Sequence, residues 1–133
     1  VGMTILLFGS GLMPFPSAVA LTLGDNIGTC MTAQIASIRL GLPGRRAAWA
    51  HTLYNIIGAA IALTLLPQFC ALVEWFTRAL GQDEGRLVAN THTLFNVLSA
   101  VVFLPFTRLY ARFIELIVPG RQPAAVRARR AHE

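Results

Sequence analysis

Residues 51–59 read HTLYNIIGA, and residues 92–100, which follow 41 positions later, read HTLFNVLSA. Each copy lies in a stretch without a formal charge, the first at 47–73 and the second at 87–107. Both stretches reach the roughly 20 residues that are needed to cross the hydrocarbon core of a bilayer. They therefore predict two transmembrane helices in an all-α, polytopic membrane protein fragment.

The duplicated segment places polar side chains inside these apolar runs. His51 and Asn55 are one helical turn apart, as are His92 and Asn96, so each pair projects from one face of its helix. In a membrane bundle such a face points inward, away from lipid. We interpret the four side chains as polar contacts that lock the bundle, with direct binding of a solute as the alternative.

The composition excludes several classes of protein. Hydrophobic residues make up 55% of the chain and charged residues 13%, which is about half of what globular chains carry. All eleven basic residues are arginines that flank the apolar runs without interleaved aromatics, so membrane topology and anionic lipid explain them better than nucleic acid. The positive-inside rule then predicts a cytoplasmic C-terminus, with Glu74, Asp83 and Glu84 outside.

The remaining segments predict broken structure. Glycines and prolines at 9–17 predict a helix that ends near Phe8, a turn, and a short second element up to residue 23. A broken or re-entrant helix is then expected to begin at Asp25 or Asn26 and to reach residue 38. The membrane domain is expected to cover residues 1–118, with 109–118 along the interface, and residues 119–133 to form an Arg-rich cytoplasmic linker.

The best candidate for a binding site lies at residues 24–32. Asn26, Thr29 and Thr32 recur every three residues and could line one stripe of a helix, and a helix that begins at membrane depth favours an anion. Asp25 would repel phosphate, so it is interpreted as a helix cap, a sodium ligand or a group that compensates a cation. Gly28 belongs to the same candidate site, although Gly28 with Gly24 could instead form a small-residue helix contact.

Several of these segments together resemble a known family. LGDNIGT at 23–29, TA at 32–33, RRA at 45–47 and AHTLYN at 50–55 resemble the repeat of the type II sodium-dependent phosphate cotransporters, including their bacterial relatives. NTHTLFN at 90–96 is similar to the end of the second repeat in the bacterial form. The resemblance covers most of residues 1–118.

The resemblance implies a fragment of a sodium-coupled phosphate symporter that works by alternating access between two inverted repeats. Inorganic phosphate, sodium as the coupling ion and the lipid bilayer are the implied partners, together with the preceding repeat and a cytoplasmic PhoU-like domain. The Gln-Ser-Ser-Ser motif of the family is absent from these residues. By the family's spacing it is expected a few residues before Val1, so the chain resembles the C-terminal part of the second repeat.

Two other classes of function compete with a transporter. A membrane scaffold, whose polar stripes bind other helices, is the alternative. An enzyme would need an activated nucleophile or paired acids, and the sequence indicates neither. Cys30 and Cys70 form no metal-binding pattern and are expected to be small core residues, so no cofactor or metal is expected.

Overall fold

A computed structural model describes residues 1–120, and every described element is helical, as predicted. Most of the expected linker at 119–133 lies outside the described residues. Short 3-10 turns at Glu84–Arg86 and Leu104–Phe106 precede the last two helices. The six α-helices are α1 (Gly2–Gly9), α2 (Phe15–Ser37), α3 (Leu42–Thr64), α4 (Leu66–Ala79), α5 (Leu87–Phe103) and α6 (Thr107–Ile117).

The predicted break near residue 10 is present, but the predicted helix start at Asp25 or Asn26 is wrong. α1 ends at Gly9, and Gly11 with φ +73° closes the turn, a conformation that favours glycine. α2 then continues through residue 25 to Ser37. α2 can begin as early as Phe15 because Pro16 lies in its first turn, where the missing N–H of proline needs no partner. No proline follows it before residue 43.

The first predicted span is bent rather than straight. α3 ends at Thr64 and α4 begins at Leu66, and the two helices meet at 93°. Pro67 lies in the first turn of α4, where it cannot continue the hydrogen-bond ladder of α3. The uninterrupted helix expected over 47–73 is therefore corrected to a bent pair, which together is long and apolar enough to be one broken span.

The second predicted span is contained in one long helical stretch. Residues Glu84–Ile117 form 34 helical residues that are long and apolar enough to cross a membrane. Pro105 falls in the 3-10 turn at Leu104–Phe106, so the chain passes it without a sharp bend. Among residues 1–120 this is the one single helix that meets that test, beside the bent pair.

The core forms around α2, which contacts α1, α3, α4 and α5. Many large apolar side chains nevertheless stay exposed on every helix, for example Leu104 at 75% and Leu116 at 78%. So much exposed apolar surface fits an apolar solvent better than water. The buried core cluster consists of Val19, Leu23, Ala59, Ala62, Phe69, Cys70, Val73, Leu87 and Phe95.

α3 runs antiparallel to the α5–α6 stretch, and α6 docks on the beginning of α3. The Tyr110 hydroxyl donates to the carbonyl of Ala50 at 2.5 Å. Arg46 donates from Nε to the carbonyl of Val118 at 3.1 Å and forms an ion pair with Glu115 at 3.7 Å. The α2–α3 turn and the end of α6 therefore lie at the same end of the bundle, and the α4–α5 connection lies at the other.

Candidate functional site

The candidate binding residues lie in the middle of α2 and are divided between two faces. Asn26 is buried, whereas Thr29 and Thr32 are exposed and Asp25 is half-buried. Each three-residue step turns a helix by about 300°, so Asn26 and Thr32 point about 120° apart. The single stripe expected from the sequence is therefore not formed, because Asn26 leaves it for the packed side of α2.

The exposed side of α2 carries a row of small and polar residues, which we call the open face: Gly24, Asp25, Gly28, Thr29 and Thr32. Gly24, Gly28 and Thr32 are four positions apart, and Asp25, Thr29 and Thr32 are four and three apart, so within each row the residues are neighbours on the helix surface. Apart from the adjoining residues and the backbone of α2 itself, no described atom comes within 4 Å of a Cβ built on Gly24 or Gly28. The open face is thus bare backbone and polar groups on a helix whose opposite side is packed.

Both threonine hydroxyls of the open face already donate their hydrogens to backbone carbonyls of α2. The Thr29 hydroxyl donates to the carbonyl of Asn26 at 2.9 Å, and the Thr32 hydroxyl donates to the carbonyl of Thr29 at 2.6 Å. Each hydroxyl oxygen therefore keeps lone pairs and offers no hydrogen outward. With the carboxylate of Asp25, these oxygens form an acceptor-only row at positions i, i+4 and i+7, which suits a hard cation better than an anion.

Asp25 is not a helix cap, since α2 begins ten residues before it. Its carboxylate accepts a hydrogen bond from the amino group of Val1 at 2.5 Å, and both groups are about one third exposed. The predicted anion site at a helix N-terminus has no basis here, because no helix begins at residues 24–26.

The packed side of α2 forms a polar seam against α3. Gln34 donates from Nε2 to Thr52 Oγ1 at 2.7 Å, and this hydroxyl donates to the carbonyl of Ala48 at 2.9 Å. The Cys30 thiol lies 3.2 Å from the carbonyl of Asn26. The Asn26 amide donates to the carbonyl of Thr22 in its own helix, and its side chain is buried, so this residue lies on the packed side rather than on the open face. Gln34 was not singled out from the sequence, where it stands alone between apolar residues.

Both copies of the duplicated segment use the same local hydrogen bond. The amide of Asn55 donates to the carbonyl of His51 at 3.0 Å, and that of Asn96 donates to the carbonyl of His92 at 2.8 Å. These amides therefore satisfy their own helices instead of forming the expected bonds between helices. The bond that joins the two copies is weaker and comes from the Tyr54 hydroxyl, 3.4 Å from the carbonyl of Asn96.

The two copies cross at equivalent positions. A Cβ on Gly58 would lie 3.0 Å from Ser99 Oγ and 3.1 Å from the ring of Phe95, and position 58 of the first copy corresponds to position 99 of the second. The helices are antiparallel, and each histidine lies seven residues before the crossing, so His51 and His92 are about 20 Å apart along the helix axes. The four polar side chains do not gather at one point.

The two histidines also differ in environment. His51 is exposed, whereas His92 is half-buried and its Nδ1 is buried without a hydrogen-bond partner among the described residues. No group of three or more His, Cys, Asp or Glu side chains within residues 1–120 could hold a metal ion. The geometry therefore leaves the open face of α2 as the candidate site.

A third polar cluster joins α4 to α5, and the sequence pattern did not predict it. The side-chain amide of Asn90 donates to Thr77 Oγ1 and to Gln82 Oε1, both at 2.8 Å. The Thr77 hydroxyl in turn donates to the carbonyl of Val73 at 2.8 Å. The only signal in the sequence is an uncharged Asn-Thr pair just before the second copy.

Replacing Asn90 with Ala is expected to destabilise the protein by about 1–3 kcal/mol, because the buried Thr77 Oγ1 and the half-buried Gln82 Oε1 both lose their donor. The measurement is the thermal midpoint of the full-length protein in detergent. Asn96→Ala is the matched control, since it removes one hydrogen bond within a single helix. Equal midpoints for the two variants would contradict a joining role of the Asn90 cluster.

Comparison with known proteins finds several similar bacterial sequences. Over 121 residues the chain is 34% identical to the uncharacterized protein YqeW of Bacillus subtilis (strain 168), covering 91% of this chain and 38% of that protein. Over 116 residues it is 27% identical to the "Putative inorganic phosphate export protein YjbB" of Salmonella typhimurium and 28% identical to that of Escherichia coli (strain K12), covering 87% of this chain and 21% of each relative.

The chain therefore spans about two fifths of the length of the Bacillus relative and about one fifth of the YjbB proteins. No family model matches it, and no solved structure matches it significantly. The similarity is distant, and its named relatives are described as transport proteins rather than enzymes.

Proposed function

We propose that this chain is part of a sodium-coupled transporter of inorganic phosphate, and that the open face of α2 forms one wall of the transport path. The observation that carries the proposal is a row of polar and small residues on the central helix of an otherwise apolar surface, of which Gly24, Gly28, Thr29 and Thr32 are exposed and Asp25 is half-buried. In a bilayer such a row is stable when it faces a watery cavity or another part of the protein.

The chemistry of the open face favours the cation. Asp25 offers a carboxylate, and Thr29 and Thr32 offer hydroxyl oxygens whose hydrogens are already donated inside the helix. Sodium takes oxygen ligands of this kind, whereas a phosphate needs hydrogen-bond donors. In this proposal the donors for phosphate come from the preceding repeat, and the bare Gly24 and Gly28 let the backbone approach the path closely.

The relatives support phosphate as the substrate, since the YjbB proteins carry inorganic phosphate export in their names. Sodium coupling and alternating access between two repeats are our extension to this chain. A bound cation next to Asp25 would cancel its charge and so lower the repulsion that the carboxylate exerts on phosphate.

The distribution of charge supports an inner-membrane location with a cytoplasmic C-terminus. Arg39, Arg45 and Arg46 lie at the α2–α3 end of the bundle, whereas Asp83 and Glu84 lie in the connection at the opposite end. The positive-inside rule then places the arginine end in the cytoplasm, where a PhoU-like domain could follow.

A membrane scaffold is the second candidate, and the bare glycines of the open face favour it. Gly24 and Gly28 are four residues apart and uncovered, which is the pattern of a close contact between membrane helices. In that case the open face binds another helix permanently and no solute passes. The two functions differ in whether changes on this face alter the ion dependence of transport.

Thr29→Ala tests the proposed function in the reconstituted full-length protein. We expect the sodium concentration for half-maximal phosphate transport to rise about three- to tenfold, because one oxygen ligand is lost while the helix keeps its backbone bonds. Thr93→Ala is the matched control, since Thr93 is an exposed threonine of α5 that also donates to its own helix. Identical sodium dependence in both variants would favour the scaffold.

A further inference from the structure

The corner between α2 and α3 combines basic and apolar side chains in one shallow cleft. The cleft encloses about 490 Å³ and is lined by Gln34, Ser37, Ile38, Arg45 and Trp49. It lies at the arginine-rich end of the bundle and away from the open face, whose last member, Thr32, is not part of its lining. The function proposed above does not use this cleft.

The charge of this corner is unbalanced within residues 1–120. Arg46 is neutralised by Glu115, which is the only carboxylate described at this end of the bundle. Arg39 and Arg45 are exposed and have no carboxylate within 4.0 Å among the described residues. Arg45 lines the cleft, and Arg39 directly follows the lining residue Ile38 in the chain. Two guanidinium groups without a carboxylate partner therefore lie at this corner, and such groups bind phosphate oxygens in a bidentate manner.

The backbone adds to this positive field. α3 begins at Leu42 with Gly41 as its N-cap and no side chain bonded to its first N–H groups. Arg45 stands in the first turn of α3, so its guanidinium and the positive end of the helix dipole act in the same place. An anion at this corner would thus meet both contributions.

Apolar side chains lie directly beside the basic ones. Ile38 is 76% exposed, Leu40 is 53% exposed and Trp49 is 39% exposed. A free anion gains nothing from such neighbours, whereas an amphipathic molecule with an anionic head and acyl chains satisfies both kinds of surface. An indole at the boundary between the two is also typical of the bilayer interface.

We infer that the cleft at the α2–α3 corner is a binding site for the phosphate headgroup of an anionic phospholipid. The guanidinium groups of Arg39 and Arg45 hold the phosphodiester, and the acyl chains lie along Ile38 and Trp49. This inference rests on the membrane location proposed above, but it does not depend on what the protein transports.

The test is the thermal midpoint of the full-length protein in nanodiscs of pure phosphatidylcholine and in nanodiscs with 30% phosphatidylglycerol. For the native protein we expect phosphatidylglycerol to raise the midpoint by about 3–5 °C, because a ligand that binds the folded state stabilises it. Arg39→Gln/Arg45→Gln should lose most of this gain, and 0.5 M NaCl should reduce it in the native protein.

Arg86→Gln is the matched control, because Arg86 is an exposed arginine at the opposite end with no carboxylate within 4.0 Å among the described residues. It should keep the full gain. The difference between the two lipids is compared within each variant, so a general loss of stability cancels. An equal gain in the double variant, or the same gain from inorganic phosphate added to phosphatidylcholine nanodiscs, would overturn the inference. Failure of the transport function would leave these midpoints unchanged.

Discussion

Asp25→Asn is expected to raise the sodium concentration for half-maximal phosphate transport by at least about tenfold, which corresponds to ~1.4 kcal/mol. The physical reason is that the only formal charge of the open face disappears while the size and the helical position of the side chain are preserved. Cation affinity depends on the number of charged oxygen ligands, so this substitution should exceed the effect of Thr29→Ala. The measurement is phosphate flux in vesicles at varied sodium concentration.

Asp83→Asn is the matched control, because Asp83 is an exposed carboxylate in the α4–α5 connection, far from the open face. It should leave the sodium dependence as it is in the native protein. If Asp25→Asn behaves like Asp83→Asn, the carboxylate does not bind the coupling cation. The scaffold function would then explain the open face better.

Gly58→Leu is expected to lower the free energy of unfolding by about 1–3 kcal/mol or more, because it overpacks the crossing of α3 and α5. Even a Cβ at this position would lie 3.0 Å from Ser99 Oγ and 3.1 Å from the ring of Phe95, and a leucine adds three further carbons. The thermal midpoint and the folded yield in detergent are the measurements. Gly58→Ala should lower the thermal midpoint less than Gly58→Leu does, and adding Ser99→Gly to the Gly58→Ala variant should partly restore the midpoint.

Ala60→Leu serves as the control for the crossing, since Ala60 is exposed two residues further along α3. A leucine there faces outward and should leave the midpoint close to that of the native protein. Equal stability of Gly58→Leu and Ala60→Leu would contradict the tight crossing. The two antiparallel copies would then have to pack at another position.

The sequence was informative wherever a local rule decides the structure. Prolines and glycines at 9–17 predicted the interruption between α1 and α2, and the second uncharged run predicted a long apolar helix around 87–107. The same rules were insufficient at Asp25, because a residue that can cap a helix need not begin one. They also missed the bend at residue 65, since the apolar pattern continues across Pro67.

The candidate site was predicted as a segment but not as a surface. A step of three residues falls about 60° short of a full helical turn, so Asn26, Thr29 and Thr32 drift around the helix instead of lining one stripe. Packing against α3 takes Asn26 to the buried side and leaves Thr29 exposed. The duplicated asparagines likewise appeared suited to bonds between helices, yet each one donates to the carbonyl four residues earlier in its own helix.

By itself the sequence determined that this protein is helical and apolar, that its arginines flank the apolar runs, and that one segment occurs twice. These properties follow from residue types and their short-range spacing, which act before any distant contact forms. Only the tertiary structure decided that the copies cross antiparallel at Gly58 and Ser99 and that α2 keeps one side open. Both depend on which neighbours cover a helix face, because burial and the choice of hydrogen-bond partner are set by residues that are remote in the chain.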